Sequence, residues 1–345
     1  MKELSEIISC LCDANAVCGR EYAAFDHLQS NFGGLFDECR MTPVGSFVGI
    51  IKAKHDNART VLIDAPLDEP GFTVTKICGG GFLKVCANGQ TDTRTLSASD
   101  VTVLGKRAIN GVFTSTPPHL QAPGDSDKPL TIDGFYIDTG LSDEECRASV
   151  SVGDVAILSS RCTMLLNGNM TGRALSNKAC MAAAINALQE LGKEHKVNII
   201  CRFTAGTEVG SKDAKTTLGY DIDYAIIIDR ANAYTVGAPE RSKGIALGGG
   251  AVISYTAASS VRFTKCAAGV AKQHGIMHQL TADGNGTASD ITSVAIATHG
   301  AHTCLIELPV KNRRTQSEIV NISDAEAIKE LCSALICRLE DDENV

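Results

Sequence analysis

The spacing of apolar residues divides the chain into three textures. From Glu3 to Ala14 and again from Glu21 to Asn31 apolar positions recur at helical intervals, with a turn at Cys18-Gly19 between them. Gly45–Lys54 and Thr60–Asp64 then read as strands, the second ending in Ala65-Pro66-Leu67-Asp68-Glu69-Pro70. From Phe72 to about Leu158 the pattern changes to short alternating runs, broken by Gly79-Gly80-Gly81, Asn88-Gly89 and Pro117-Pro118. Long helical patterns are absent there, which predicts a small antiparallel β unit inserted into the chain. The triple glycine has no helix after it, so it reads as a hairpin turn and not as a phosphate loop. Asp125–Pro129 reads as a polar loop, and Ser142–Ala148 as a short helix capped by Ser142.

At about Arg161 the alternation of strands and helices returns. Ala179–Leu191 is a strongly apolar helix, preceded by Gly172-Arg173-Ala174-Leu175-Ser176-Asn177-Lys178. Val197–Thr204 is a buried strand, followed by the glycine-bracketed turn Gly206-Thr207-Glu208-Val209-Gly210 and a helical turn or two over Lys212–Leu218. Asp223–Ile228 is a further strand and ends on Asp229. Helices are expected over Ser260–Gly275 and Asp290–Thr298, the latter after the glycine-rich loop Asp283–Gly286. A strand over Thr303–Leu308 leads into the basic loop Lys311-Asn312-Arg313-Arg314, and a final helix starts at Ser323 with Glu326 completing a capping box. The whole predicts an α/β sheet domain from residues 1–70 and 162–345, with residues 71–161 as the inserted β domain. Glu208 and Asp229 then stand at neighbouring strand ends, where such sheets place their chemistry. Taken alone, the same pattern also fits a helix start followed by a solvated acid.

Composition narrows the partners. Forty acids against 32 bases give a net charge of −8, which argues against nucleic acid and anionic membrane surfaces. The 14 cysteines are scattered through apolar strand and helix patterns with no Cys-x-x-Cys pair, so reduced thiols in a cytoplasmic protein are expected. Cys201 and Cys304 read as core residues, and His274, His278, His299 and His302 as surface or packing residues.

Several stretches together resemble the glutamyl-aminopeptidase or deblocking-aminopeptidase family, cytosolic two-metal exopeptidases that form tetrahedral dodecamers. They are Val61–Phe72, Gly111-Val112-Phe113 with Pro117-Pro118-His119-Leu120, Phe135–Thr139 with Gly153-Asp154, Arg173–Lys178, Thr204–Ala214 and Leu308–Val320. The resemblance implies a zinc-exopeptidase-like mixed sheet flanked by helices, with a small barrel-like insertion that serves oligomerisation. It also implies a metal site that this chain does not keep. The family's first ligand histidine falls on Pro66, with Asp68 retained two residues on. The bridging aspartate falls on Ser176, the arginine after it on Lys178, and the general base on Thr207. The last ligand histidine falls on Arg314, so that Glu208 and Asp229 are the surviving ligand positions.

These changes point one way. Proline has no donor atom, a serine hydroxyl is no bridging anion, and threonine cannot take a proton from metal-bound water. An arginine repels a dication. The reading is therefore a catalytically degenerate homologue, kept for assembly, regulation or ligand binding, with no catalytic residue, metal or cofactor expected. Its pocket residues would be Asp68, Lys178, Glu208, Asp229 and Arg314, with Arg314 and Lys178 neutralising the two acids. The alternative is an active aminopeptidase or other hydrolase with zinc or cobalt in a rearranged site around Glu208 and Asp229. A third reading gives Arg314, Lys178 and Arg173 a peptide or small acidic ligand. Expected partners are further copies of the chain, up to a dodecamer, or an active paralogue.

Overall fold

The computed structural model describes residues 3–120, 130–216, 219–238, 244–283, 289–297 and 299–341. The chain opens with helices α1 (Leu4–Cys12) and α2 (Phe25–Phe32), then strands β1 (Glu38–Met41), β2 (Phe47–Ile51) and β3 (Thr60–Pro66). Strands β4 (Gly71–Ile77), β5 (Phe82–Asn88), β6 (Asp100–Leu104), β7 (Ala108–Ser115) and β8 (Phe135–Asp138) follow, then helix α3 (Asp143–Ser149) and β9 (Val155–Leu158). After β10 (Thr163–Met164) and β11 (Asn169–Gly172) come α4 (Leu175–Leu191), β12 (Asn198–Thr204), β13 (Tyr224–Asn232) and β14 (Ala251–Thr256). The last elements are α5 (Val261–His274), β15 (His278–Asp283), α6 (Ile291–Ala295), β16 (His302–Val310), β17 (Glu318–Asn321) and α7 (Ile322–Asp341).

Eight strands form one mixed sheet in the order β1-β2-β12-β3-β13-β16-β14-β15. Its four central strands β12, β3, β13 and β16 are mutually parallel, so their C-terminal ends open on a single edge. Helix α4 packs across the sheet and is buried almost all round, from Leu175 to Leu188, because α1 and α7 cover its outer side. That accounts for its nearly continuous apolar sequence. The strands from β4 to β9 close a barrel in the order β4-β5-β8-β7-β6-β9, with its own core built on Phe72, Phe113 and Phe135. Phe113 meets Phe72 edge-on at 4.8 Å and Phe135 at 6.1 Å between ring centroids. The Gly79–Gly81 turn joins antiparallel β4 and β5, as a hairpin should. Among the described residues no helix is long and apolar enough to cross a membrane.

Several expected boundaries shift. Helix α4 begins at Leu175 and not at Ala179, since the Glu318 carboxylate accepts from Ser176 N at 3.0 Å and supplies a cap from a distant part of the chain. Strand β13 continues to Asn232, which places Asp229 inside the strand. Helix α7 begins at Ile322, with Asn321 Oδ1 accepting from Ser323 N at 3.0 Å, so Ser323 lies within the first turn and does not cap it. The Glu21–Asn31 helix splits into a 3-10 turn at Glu21–Ala24 followed by α2. The Lys212–Leu218 stretch holds only a 3-10 turn at Asp213–Lys215, and its last two residues lie outside the described ones. The Asp125–Pro129 loop and residues 284–286 lie outside them as well.

Candidate functional site

The site lies where β3, β12 and β13 present their C-terminal ends. Asp68 leaves β3, and its carboxylate accepts three hydrogen bonds from the next turn. Thr207 N donates at 2.8 Å, Thr207 Oγ1 at 2.6 Å and Glu208 N at 3.0 Å. This clamp fixes the turn Thr207–Val209 and aims Glu208 inward, where its side chain is 3% exposed. Asn177, in the first turn of α4, donates to the Asp68 carbonyl. The barrel closes one side. The loop after β5 lays Gly89 against Glu208 so tightly that an added Cβ would stand 2.8 Å from Glu208 Cβ. Asp92 N also donates to Arg314 O at 3.2 Å.

The cations around Glu208 come from three arginines. Arg230, directly after Asp229, places Nε 3.0 Å from Asp229 Oδ1 and Nη2 3.7 Å from Glu208 Oε1. It also donates from Nη1 to Asn177 Oδ1. Burial alone would push its pKa down, but Asp229 and then Glu208 overcome this and raise it. Arg314 places Nε 3.8 Å from Glu208 Oε2, with its side chain one-third exposed. Its backbone is left-handed, with φ at 69°, and is held by N–H donation to Glu318 Oε1 at 2.9 Å. Arg313 completes the group: burial, and then Arg230 beside it, push its pKa down. The fit is loose. Glu208 Oε2, Arg230 Nε and Arg314 Nε are buried without a hydrogen bond, since the 3.0 Å approach of Arg230 Nε to Asp229 is poorly aligned.

Other expected members stand elsewhere or in other roles. Pro66 ends β3 paired with Thr204, and Ser176 Oγ donates to Glu318 Oε2 at 2.7 Å. Lys178 does not neutralise Glu208 or Asp229: its Nζ donates to Ala14 O at 3.3 Å, and its charge serves Glu69. Arg173 is committed to Glu69 too, with Nε 2.9 Å from Oε2, which corrects the expectation that it anchors a ligand with Arg314. Burial would push the fully buried Glu69 carboxyl up, but Lys178 and Arg173 bring it below the ordinary range. His299 and His302 are exposed at the far end of the sheet, and Cys201 and Cys304 are fully buried.

Sequence reasoning missed Arg230, Arg313, Asn177, Glu318 and Glu307. The signal for two of them was adjacency, since Arg230 follows Asp229 and Arg313 precedes Arg314. Glu307 pairs in register with Asp229 across β16 and β13. Its carboxyl is pushed up to about 7 by burial and the Asp229 charge, against the Ser254 hydroxyl that donates to it.

At the positions where the family resemblance implies metal ligands, the donors present do not fit a dinuclear centre. Two carboxylates face guanidinium groups, and Ser176 is turned to Glu318. Among the described residues one other donor group exists: Cys18, Glu21 and Asp68 keep ligand atoms within 4.8 Å of one another, all buried. It suits a cation poorly as it stands. Burial and Asp68 push the Cys18 thiol up, so it stays a thiol and offers no thiolate to a cation. Glu21 is likewise pushed up by burial, while Oε1 accepts from Gly206 N at 3.0 Å.

Comparison with known proteins agrees with this architecture. A solved aminopeptidase from Desulfurococcus kamchatkensis superposes with a TM-score of 0.89 at 26% identity, covering 98% of this chain and 95% of that one. The Pyrococcus horikoshii TET1 peptidase, described as assembling into a tetrahedron or a large octahedral shell, gives a TM-score of 0.82 at 24% identity over 97% and 99% of the two chains. The lysyl aminopeptidase of Pyrococcus furiosus is 24% identical over 341 residues, 97% of each chain. The profile of one family matches residues 45–331, which takes in the barrel, the Asp68 clamp and the arginine loop alike, and the chain is therefore a member of the M42 glutamyl aminopeptidase family.

Proposed function

We propose that this family member is catalytically silent, with its metal-binding pocket replaced by an internal ion-pair network, and that it is retained for assembly or ligand binding. The observation that carries this reading is the Arg230 guanidinium lying between Asp229 and Glu208, at 3.0 and 3.7 Å. These are the two acids that the family pattern leaves as metal ligands. A cation supplied by the chain neutralises them, and the base position holds Thr207, whose hydroxyl is spent on Asp68. Among the described residues, the position of the family's base offers no carboxylate to take a proton from a metal-bound water.

Assembly is the favoured retained role. The barrel carries exposed apolar residues Val112, Leu120 and Val152, and the TET1 peptidase described above builds closed shells. A cytoplasmic protein with 14 free thiols is the setting this reading implies.

The test is metal analysis and peptidase assay of the purified chain after exposure to zinc, cobalt and manganese. Neither stoichiometric metal nor release of N-terminal residues is expected. Robust metal-dependent turnover that Glu208→Ala abolishes would establish the rearranged single-metal hydrolase instead. Light scattering showing a strict monomer at micromolar concentration would remove the assembly role.

A further inference from the structure

The three arginines of the pocket are not equally employed. Arg230 faces Asp229 and Glu208, and Arg314 faces Glu208. Arg313 feels the charges of Asp229 and Glu208, but among the described residues its guanidinium makes neither an ion pair nor a hydrogen bond. It is only partly exposed, and the groups nearest in charge include two further guanidiniums. Of the other acids in this neighbourhood, Glu318 is engaged by Ser176 and the Arg314 N–H, and Glu307, whose carboxyl is pushed up to about 7, engages Ser254. A guanidinium carries five N–H donors in a rigid fork. None of the Arg313 nitrogens is among the buried atoms left without a partner, so the fork is open to solvent and to a ligand, and the two like charges beside it favour an anion there.

We infer that Arg313, flanked by Arg230 and Arg314, is the anchor of a binding site for a small molecule bearing an oxyanion, a carboxylate or a phosphate. The planar fork matches either group in a bidentate fashion, which a point charge would not do. The partners already present exclude the opposite choice, because a cationic or metal ligand would meet three guanidiniums. Small size follows from the barrel loop, which packs Gly89 on Glu208 and bonds Asp92 N to Arg314 O on one side of the pocket. The inference shares with the proposed function the premise that no metal occupies this pocket, but it reads a different quantity.

The experiment is calorimetric titration of the whole purified protein with sulfate, inorganic phosphate and glutarate at constant ionic strength, together with thermal unfolding in each. At least one anion is expected to bind and to raise the unfolding midpoint, as a ligand selective for the folded state must. Arg313→Met should weaken that binding at least about tenfold (about 1.4 kcal/mol). Arg313→Lys should retain part of it. Without anion, Arg313→Met should melt no lower than the parent protein, because it removes a guanidinium that has no partner. Binding of all three probes marks a general oxyanion site, whereas binding of glutarate alone marks an organic acid; either supports the site. If no probe binds at millimolar concentration, or if Arg313→Met responds as the parent does, the inference is wrong. Metal content and peptidase activity report separately on the proposed function, so the two ideas can fail independently.

Discussion

Arg230 Nε stands 3.0 Å from Asp229 Oδ1, an ion pair between residues adjacent in the chain. The same arginine reaches Glu208 on the turn after β12 and Asn177 at the start of α4. It thus joins three elements at the open edge of the sheet, with its side chain 5% exposed. Arg230→Ala removes the cation shared by Asp229 and Glu208, whose side chains are 14% and 3% exposed, and is expected to destabilise the fold by about 3–5 kcal/mol. Arg314 is one-third exposed and lies 3.8 Å from Glu208, so Arg314→Ala should cost only about 1 kcal/mol. Chemical denaturation of the two variants measures the order. Equal losses, or a larger loss for Arg314, would show that the network is centred elsewhere.

Glu307 makes the pocket sensitive to pH. Burial first, and then Asp229 and Asp283, push its carboxyl up to about 7, while Ser254 and Arg313 act in the other direction. A carboxyl raised in the folded state favours folding at low pH, where it is protonated in both states. That contribution is lost as pH rises from the unfolded value near 4.3 through about 7. Glu307→Gln, which stays neutral, should therefore gain stability relative to the parent across this window, by up to about 3 kcal/mol. Denaturation midpoints of both proteins at pH 5 and pH 8 give the comparison. A difference that does not change with pH counts against the shift.

Among the 14 free thiols one pair differs from the rest. Cys12, at the end of α1, and Cys162, just before β10, are coupled through their thiols. The Cys162 thiol lowers the Cys12 pKa, with Lys178 and Arg173 assisting against burial, whereas the Cys12 thiol and burial raise Cys162. Cys12 should accordingly react with iodoacetamide at neutral pH before buried Cys180, Cys201 and Cys332, whose thiols burial pushes up. Peptide mapping after brief labelling decides this. Preferential labelling of Cys162 over Cys12 would contradict the assigned polarity.

The architecture was legible because it rests on periodicity. Alternating runs between Phe72 and Leu158 mark an inserted antiparallel β unit, which closes into a barrel as the family resemblance implies, and buried apolar runs mark β3, β12 and β13. The substitutions that the family resemblance implies at Pro66, Ser176, Thr207 and Arg314 can be read as chemistry, one residue at a time. The partner of each charge was not. Lys178 is close in sequence to Ser176, but two residues along α4 turn its side chain to the opposite face of the helix, toward Glu69 and Ala14. Glu318 and Ser176 are 142 residues apart, and their hydrogen bond moves the start of α4 by four residues from its local signal. Arg230 was hidden by its position inside a strand, where an arginine usually signals an exposed face.

Rebuilding the family's metal site tests whether the arginines stand in for metal ions. The variant Pro66→His, Ser176→Asp, Thr207→Glu and Arg314→His restores every donor that the family resemblance implies. It leaves Arg230 between Asp229 and Glu208, and Arg313 beside them, so a dication would still meet two guanidiniums at the position it must occupy. The fourfold variant is therefore expected to bind zinc weakly or not at all. It should also be unstable, because Ser176 now donates to Glu318 at 2.7 Å and an aspartate there opposes that carboxylate. Adding Arg230→Ala and Arg313→Ala removes the resident cations and leaves the carboxylates to a metal. The sixfold variant should bind zinc, and zinc should raise its unfolding midpoint far more than that of the fourfold variant. Recovered turnover is a secondary readout, since base, bridge and ligands act as a unit. Zinc titration followed by thermal unfolding settles the comparison: equal zinc affinity in the fourfold and sixfold variants would mean that Arg230 and Arg313 do not hold the metal position.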